Sequence, residues 1–385
     1  MTPHDELRRA IGDRVGVPAG QVALFWRGRV AMYAILRALG IGPGDEVIVP
    51  AFTCVAVPNA VLYAGATPVY VDIDEATYTP DPAAVAAAIG PRTRAVMAQN
   101  TFGLSSDLDA LAASAARHGA VVIDDCTHGL GATYKGRPNG SAALAAFFST
   151  QWSKPISTGL GGIAVTTDPA LARDLAVFER AAAEPGLRDR ALLGAMLLAR
   201  ERVATPRTMR AGRAVYRAAS RAGLVPGSSS GGELSGTRMP AGFHTRMSAL
   251  QARLGAQRLA TLDARLRRRR AVADRYSAWL RSHGLAAAHE PGYARHGFLR
   301  YPLLVRDRDG LIAQAARRGV LLGDWFRSPV HPIEGDLSPW GYRHGANPIA
   351  ERVAGEIVNL PTDLDSDGRE LRVVEELLEG LARDR

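Results

Sequence analysis

The sequence predicts an α/β fold: a mostly parallel central sheet covered by helices, followed by a smaller C-terminal α+β unit. Three observations carry this. Short apolar runs, "EVIVPAF" (46–52), "TPVYVDID" (67–74), "TRAVMAQN" (93–100) and "AVVIDDC" (120–126), each end where turn or polar residues begin. Helix-length segments lie between such runs; in "SDLDALAASAARHG", Leu108, Leu111, Ala112 and Ala115 recur at helical spacing behind a serine or aspartate cap. Alternation of this kind gives a parallel sheet with helices on its faces, and ligands of such folds gather at the carboxyl ends of the strands. Finally, 385 residues exceed what one compact core usually holds.

In chain order, a strong helical pattern follows Gly28 in "WRGRVAMY", and the β-like runs begin at residue 46. "GGIAVTTD" (161–168) reads as a further strand. A long helical and basic region covers 169–223, and "LVPGSSSGGELSG" (224–236) reads as a flexible loop. A long helix runs from Met247 to about His283, and an α+β segment completes the chain. The expected division is a large domain over 1–245, with a basic helical insertion at about 187–235, and a small domain over 246–385.

Composition narrows the class. The apolar fraction is 47% with no run of eighteen apolar residues, and "MTPHDELRRA" lacks the apolar centre of a signal peptide, so a cytoplasmic location is expected. Cys54 and Cys126 are too few for a disulfide framework, and no Cys/His spacing resembles a metal site. The net charge of +9 is uneven, because 187–223 carries nine arginines against Asp189 and Glu201. Tyr216 is the one aromatic residue there, which speaks against nucleic-acid binding. The start of this segment, "ALLGAMLLARERV", is amphipathic and suits core packing, a dimer contact, a lid or a membrane surface. "RLRRRR" (265–270) reads as a solvated helical face.

Lysine is nearly absent: two lysines stand against forty-five arginines. Arginine stays charged at any accessible pH, whereas a partly buried lysine amine can lose its proton and act as nucleophile or base. Lys154 lies in "FFSTQWSKPISTGLGG", five residues beyond Ser149 at the end of an apolar run, before glycines that allow a tight turn. Lys135, in "TYKGRPNG", lies in a turn and reads as solvated. Two further polar signals sit at strand ends. "VVIDDCTHG" ends in Asp124 and Asp125 with His128 close behind, and Gly28 opens a helix whose first amides, on Arg29 and Val30, form an anion site. An anion-binding helix start, an acid and a lysine match the needs of a pyridoxal phosphate (PLP) enzyme. The lysine forms the Schiff base and moves protons, the acid keeps the pyridine nitrogen protonated, and the helix start with a hydroxyl holds the phosphate.

Longer stretches make this specific. "ALGIGPGDEVIVPAFT", "AVLYAGATPVYVDID", "VVIDDCTHGLGATYKG", "FFSTQWSK", "GLGGIAVTTD", "RMSALQARLGAQRLATLDARLRRRRAVADRY" and "IVNLPTDLD" follow one another over most of 20–365. In this the chain resembles the DegT/DnrJ/EryC1/StrS family of PLP-dependent sugar aminotransferases, of fold type I. The resemblance implies that Lys154 is the Schiff-base lysine and Asp125 the partner of the pyridine nitrogen, with Asp124 only its neighbour. His128 falls where the family usually has a glutamine near the cofactor's phenolic oxygen. Ser149 with the amides of Arg29 and Val30, next to Gly28, would hold the phosphate. His244 stands where an asparagine usually reaches the neighbouring subunit's phosphate, implying a homodimer with shared sites. Cys54 replaces an aromatic residue that stacks on the cofactor, and Leu144 and Leu160 replace common acidic residues. The implied reaction moves an amino group from an amino acid, L-glutamate by family analogy, to a nucleotide-linked keto sugar through pyridoxamine phosphate. A ketocyclitol acceptor is the nearest alternative; a PLP dehydratase is disfavoured by retention of Lys154, and a non-catalytic regulator by retention of Lys154 and Asp125.

Overall fold

The computed structural model describes all residues except 204–211, 213, 214, 217, 221–223, 226, 228–230, 365–367, 384 and 385. The apolar runs form one seven-stranded sheet. Its strands are β1 (Val22–Phe25), β2 (Glu46–Pro50), β3 (Thr67–Val71), β4 (Thr93–Gln99), β5 (Val121–Asp125), β6 (Ala145–Ser149) and β7 (Gly162–Thr166), in the order β1-β7-β6-β5-β4-β2-β3. Strands β6, β5, β4, β2 and β3 pair in parallel, and β7 is antiparallel to both β6 and β1. The four expected runs are therefore strands, and "GGIAVTTD" supplies the antiparallel one. Both faces of the sheet are covered, which is why these strands read as nearly continuous apolar runs. The antiparallel turn decides where Lys154 goes: β6 returns directly into β7 instead of crossing over through a helix, so residues 150–161 stay at the edge where β5 also ends.

The helix α1 (Pro3–Val15), capped by Thr2, buries Leu7, Ile11 and Val15 against Ala252 and Ala256 of α4 (Ala249–Leu259). On the other face α2 (Gly28–Ala38) is enclosed on most sides, with Val30, Ala31, Met32, Ala34, Ile35 and Leu36 all inaccessible to solvent. The expected single helix 247–283 is two helices, because α4 ends at Leu259 and α5 (Leu262–Ser282) begins after a turn at Ala260 and Thr261. Along α5 the packing partners change. Leu262 and Leu266 belong to the apolar cluster of α1, whereas Val272, Tyr276 and Leu280 pack with the C-terminal Tyr301, Val358 and Leu371.

Three further expectations need correction. In the helix Leu108–Ala116 the buried face holds Ser114 in place of Ala112, which is exposed. Residues 265–270 are not a uniformly solvated face: Arg269 is buried and pairs with Asp363 (3.4 Å), and Arg270 donates to the carbonyls of His296 (3.0 Å) and Gly131 (3.4 Å). Only Arg267 and Arg268 of that run are exposed. Within 224–236, Gly231–Ser235 is helical and its Glu233 is fully buried against Arg29, so an ion pair orders what composition alone marks as a loop. At the basic insertion, α3 (Leu187–Val203) buries Leu193 and Leu197 in a cluster with Trp26 and Leu160, while the arginines at 207, 210, 213, 217 and 221 lie outside the described residues. Lys135 does lie in an exposed turn, paired with Asp109 (2.5 Å). No helix among the described residues is long and apolar enough to cross a membrane.

Candidate active site

A cavity of about 1620 Å³ opens at the carboxyl ends of β5 and β6, and Lys154, Asp125, His128, Ser149, Cys54 and Gly28 all line it. Each arrives there for a local reason. Residues 150–161 form a cross-braced loop. Thr150 N–H donates to the Gly161 carbonyl (3.0 Å), Thr158 N–H to the Thr150 carbonyl (2.7 Å), and the two threonine hydroxyls share a hydrogen bond (2.6 Å). Gln251 of α4, fully buried, donates to the Leu160 carbonyl (2.8 Å) and ties the loop down. Gly161 has φ +152, and a Cβ there would fall on the Thr150 hydroxyl, so only glycine closes this loop. Lys154 is thus held on a fixed loop, half-buried and facing the cavity. Burial lowers its amine to about 8; nearby Cys54 and Asp125 oppose this, and Arg300 adds to it.

At the end of β5 the two aspartates part. Asp124 is fully buried and accepts from Asn100 Nδ2 (2.7 Å) and Gly140 N–H (2.8 Å); burial raises its carboxyl to about 6. Asp125 points into the cavity, accepting from Thr127 N–H (2.9 Å). Burial raises Asp125 too, against hydrogen bonds from Thr127 and the charge of Lys154. His128 is buried, and its Nδ1 accepts from Phe102 N–H (3.2 Å). Burial holds the ring well below the usual histidine range, with Lys154 and Arg300 pushing the same way, so the ring is neutral and its proton sits on Nε2.

The helix α2 begins at Gly28, with Arg27 as its cap residue. A Cβ on Gly28 would lie 2.9 Å from Ser149 Cβ, so glycine is what lets the helix start approach Ser149. Val30 N–H turns back to the Arg27 carbonyl (3.1 Å), which leaves the start of the helix to the amides of Gly28 and Arg29. Arg27 also lines the cavity, and among the described residues its buried Nε has no hydrogen-bond partner. His244 is placed elsewhere: it does not line this cavity but lies against the Phe178 ring (centroids 4.0 Å), its Nε2 without a partner among the described residues.

Residues from the C-terminal half, which sequence reasoning missed, close the opposite wall. Trp325 stacks on His128 (centroids 5.1 Å, planes 8° apart), and Lys154 Nζ lies 5.1 Å from the centre of the indole. Arg300 and Asn359 line the same wall.

The profile of the DegT/DnrJ/EryC1/StrS aminotransferase family matches residues 9–378. The chain belongs to this family. It is a PLP-dependent aminotransferase of fold type I. Among proteins similar to it, the GDP-perosamine synthase of Caulobacter vibrioides is 40% identical over 183 residues, 48% of this chain and 49% of that one. The L-glutamine:scyllo-inosose aminotransferase of Streptomyces griseus is 48% identical over 145 residues, 38% of this chain and 34% of that one. The solved structure of S. venezuelae DesV in complex with a ketimine intermediate is 28% identical with a TM-score of 0.71, covering 94% of this chain and 84% of that one. The two curated matches thus span half or less of those proteins' lengths. The residues present fit the family's cofactor. The close approach of Gly28 to Ser149 and the Arg27 Nε, without a partner among the described residues, suit an anion such as the cofactor's phosphate, and a buried carboxylate and the half-buried Lys154 stand in the same cavity.

Proposed function

We propose that the enzyme transfers an amino group from an L-amino acid, L-glutamate in the first instance, to the ketone of a nucleotide-linked sugar. The observation that carries this reading is Lys154, an amine near pKa 8 facing a large cavity beside a buried Asp125. When bound, PLP supplies an electron sink that stabilises negative charge at the carbon bearing nitrogen. Lys154 holds the cofactor and then, as a free amine, takes the proton from that carbon and returns it one position away. Asp125, kept in place by Thr127, holds the proton on the ring nitrogen. His128 donates from Nε2 to the phenolic oxygen. The amides of Gly28 and Arg29, the Ser149 hydroxyl and Arg27 hold the phosphate.

The reading includes a homodimer in the cytoplasm, with His244 Nε2, which has no partner among the described residues, serving the phosphate site of the adjoining subunit. It also treats 1–245 and 246–385 as the two domains. A cyclitol ketone is the second acceptor reading, favoured by the 48% identity to the scyllo-inosose enzyme. The test is a single-turnover experiment: the protein is converted with L-glutamate, freed of it, and offered nucleotide-linked keto sugars and ketocyclitols in turn. Return of the visible cofactor absorption with a nucleotide-linked keto sugar, and formation of its amine, is the expected result. Return only with a ketocyclitol establishes the second reading, and return with neither class refutes both.

A further inference from the structure

One face of α3 lines the cavity, and the other takes no part in the site. Inward, Leu193 and Leu197 pack with Trp26 and Leu160, while Arg200 lies over the Trp152 ring (5.4 Å) and donates to the Trp152 carbonyl (3.1 Å). Outward, Leu187, Ala191, Ala195 and Leu198 are exposed at helical spacing and so form one stripe along the helix. Leu187 is 78% and Leu198 49% exposed. Arg188 donates to the Leu224 carbonyl (3.3 Å), which brings Leu224, itself 60% exposed, to the end of the stripe where Leu187 stands. Of the eight large apolar side chains exposed among the described residues, four, Leu187, Leu198, Val215 and Leu224, fall between 187 and 224. Single exposed leucines are ordinary on a protein surface, but a cluster of them marks a contact.

Arginines edge this stripe. Arg188, Arg190 and Arg202 are exposed, and the neighbouring Glu201 is paired with Arg258 (2.7 Å). The chain continues over 203–223 with five more arginines and no acidic residue. An exposed apolar stripe bordered by arginines is complementary to an anionic bilayer surface: the leucines enter the boundary between headgroups and acyl chains, and the guanidinium groups stay at the level of the phosphates. Other occupants are opposed by what the face carries. A second copy of the chain would bring the same arginines against these, and like charges repel. A nucleic acid is held by aromatic faces on which bases stack, whereas Tyr216 is half-buried and meets the Trp152 ring edge-on (centroids 6.0 Å).

We propose that the outer face of α3, with Leu187, Leu198 and Leu224 between Arg188, Arg190 and Arg202, docks the enzyme on an anionic lipid surface. The docking is peripheral and reversible, and it goes beyond the proposed reaction without depending on it. Because Met196, Ala199 and Arg200 of the same helix line the cavity, a docked enzyme works within about one helix diameter of the lipid.

The experiment mixes holoenzyme with vesicles of phosphatidylcholine alone, or of phosphatidylcholine with phosphatidylglycerol, and measures the bound fraction by sedimentation. Binding is expected on the vesicles that contain phosphatidylglycerol, at least about tenfold stronger than on phosphatidylcholine alone and weakened by added salt. The double variant Leu187→Glu with Leu198→Glu is expected to lower that partition by at least about tenfold. Its visible cofactor absorption, and the response of that absorption to L-glutamate, stay as in the wild type, because neither leucine lines the cavity. A second variant, Arg190→Gln with Arg202→Gln, loses about tenfold, and only on the vesicles that contain phosphatidylglycerol. Absence of binding to those vesicles, or binding that both double variants leave unchanged, overturns the proposal. A wild-type dimer that the leucine variant splits in the absence of lipid also overturns it and assigns the face to a second copy.

Discussion

The two walls of the cavity are made differently. The strand-end wall, comprising Lys154, Asp125, Ser149 and Gly28, takes its geometry from main-chain features: a sheet edge, a helix start and a hairpin loop that only glycine can close. The opposite wall, comprising Arg300, Trp325 and Asn359, takes its geometry from side chains that meet only through the tertiary fold. A reaction common to many substrates needs fixed positions, and backbone ends supply them. Choice of substrate needs positions that can vary without disturbing the central sheet, and Arg300 and Trp325 on irregular segments, with Asn359 on a short strand outside that sheet, supply those.

The largest effect expected is on the strand-end wall. Lys154→Ala removes both visible cofactor absorption and turnover, because Lys135 is exposed, lies in another turn and is paired with Asp109. In wild-type apoprotein, capture of added PLP should accelerate about tenfold per pH unit up to about pH 8 and level off above it. The reason is that the amine must be unprotonated to attack, and burial brings its pKa to about 8. A rate that instead falls as pH rises toward 8 contradicts that assignment.

Next come the adjacent aspartates, which split chemistry from stability. Asp125→Asn is expected to lower turnover by about 10²–10⁴-fold with the cofactor still bound, measured by single-turnover absorbance. Asp124→Ala leaves the buried Asn100 amide and Gly140 N–H without their acceptor and is expected to cost about 2 kcal/mol in denaturant unfolding. The reverse pattern, with Asp124 needed for chemistry and Asp125 for stability, would exchange their roles.

How much of this was legible follows from the same contrast. The parallel strands, the helix at Gly28 and the turn around Lys154 are local patterns, and each appears in the fold where the sequence puts it. Glu233 was missed because its partner Arg29 is about two hundred residues away, and a Gly/Ser-rich stretch carries no signal for a buried ion pair. Arg269 was misread as solvated because four successive arginines look alike until Asp363 is brought beside one of them. Trp325 and Arg300 have no periodicity or motif of their own, and Asn359, although it lies in "IVNLPTDLD", is not singled out there by its residue type. Their grouping depends on contacts between residues 102, 128, 300, 325 and 359.

On the opposite wall, smaller effects are expected. Asn359→Ala frees the peptide of Trp325 and should raise KM for the amino donor about fivefold with a smaller change in kcat, read in steady-state assays. A kcat loss as large as that of Asp125→Asn would erase the distinction between the two walls. The smallest effect expected is that of Lys135→Ala: its ion pair with Asp109 is exposed, so unfolding free energy should change by less than about 1 kcal/mol and turnover not at all.

The central claim is that Lys154 is the residue joined to the cofactor. Holoenzyme reduced with borohydride fixes that bond, and peptide mapping by mass spectrometry locates it. The account predicts one phosphopyridoxyl group per chain, on the peptide containing Lys154. A group on Lys135, or protein that carries none after incubation with PLP, would contradict it.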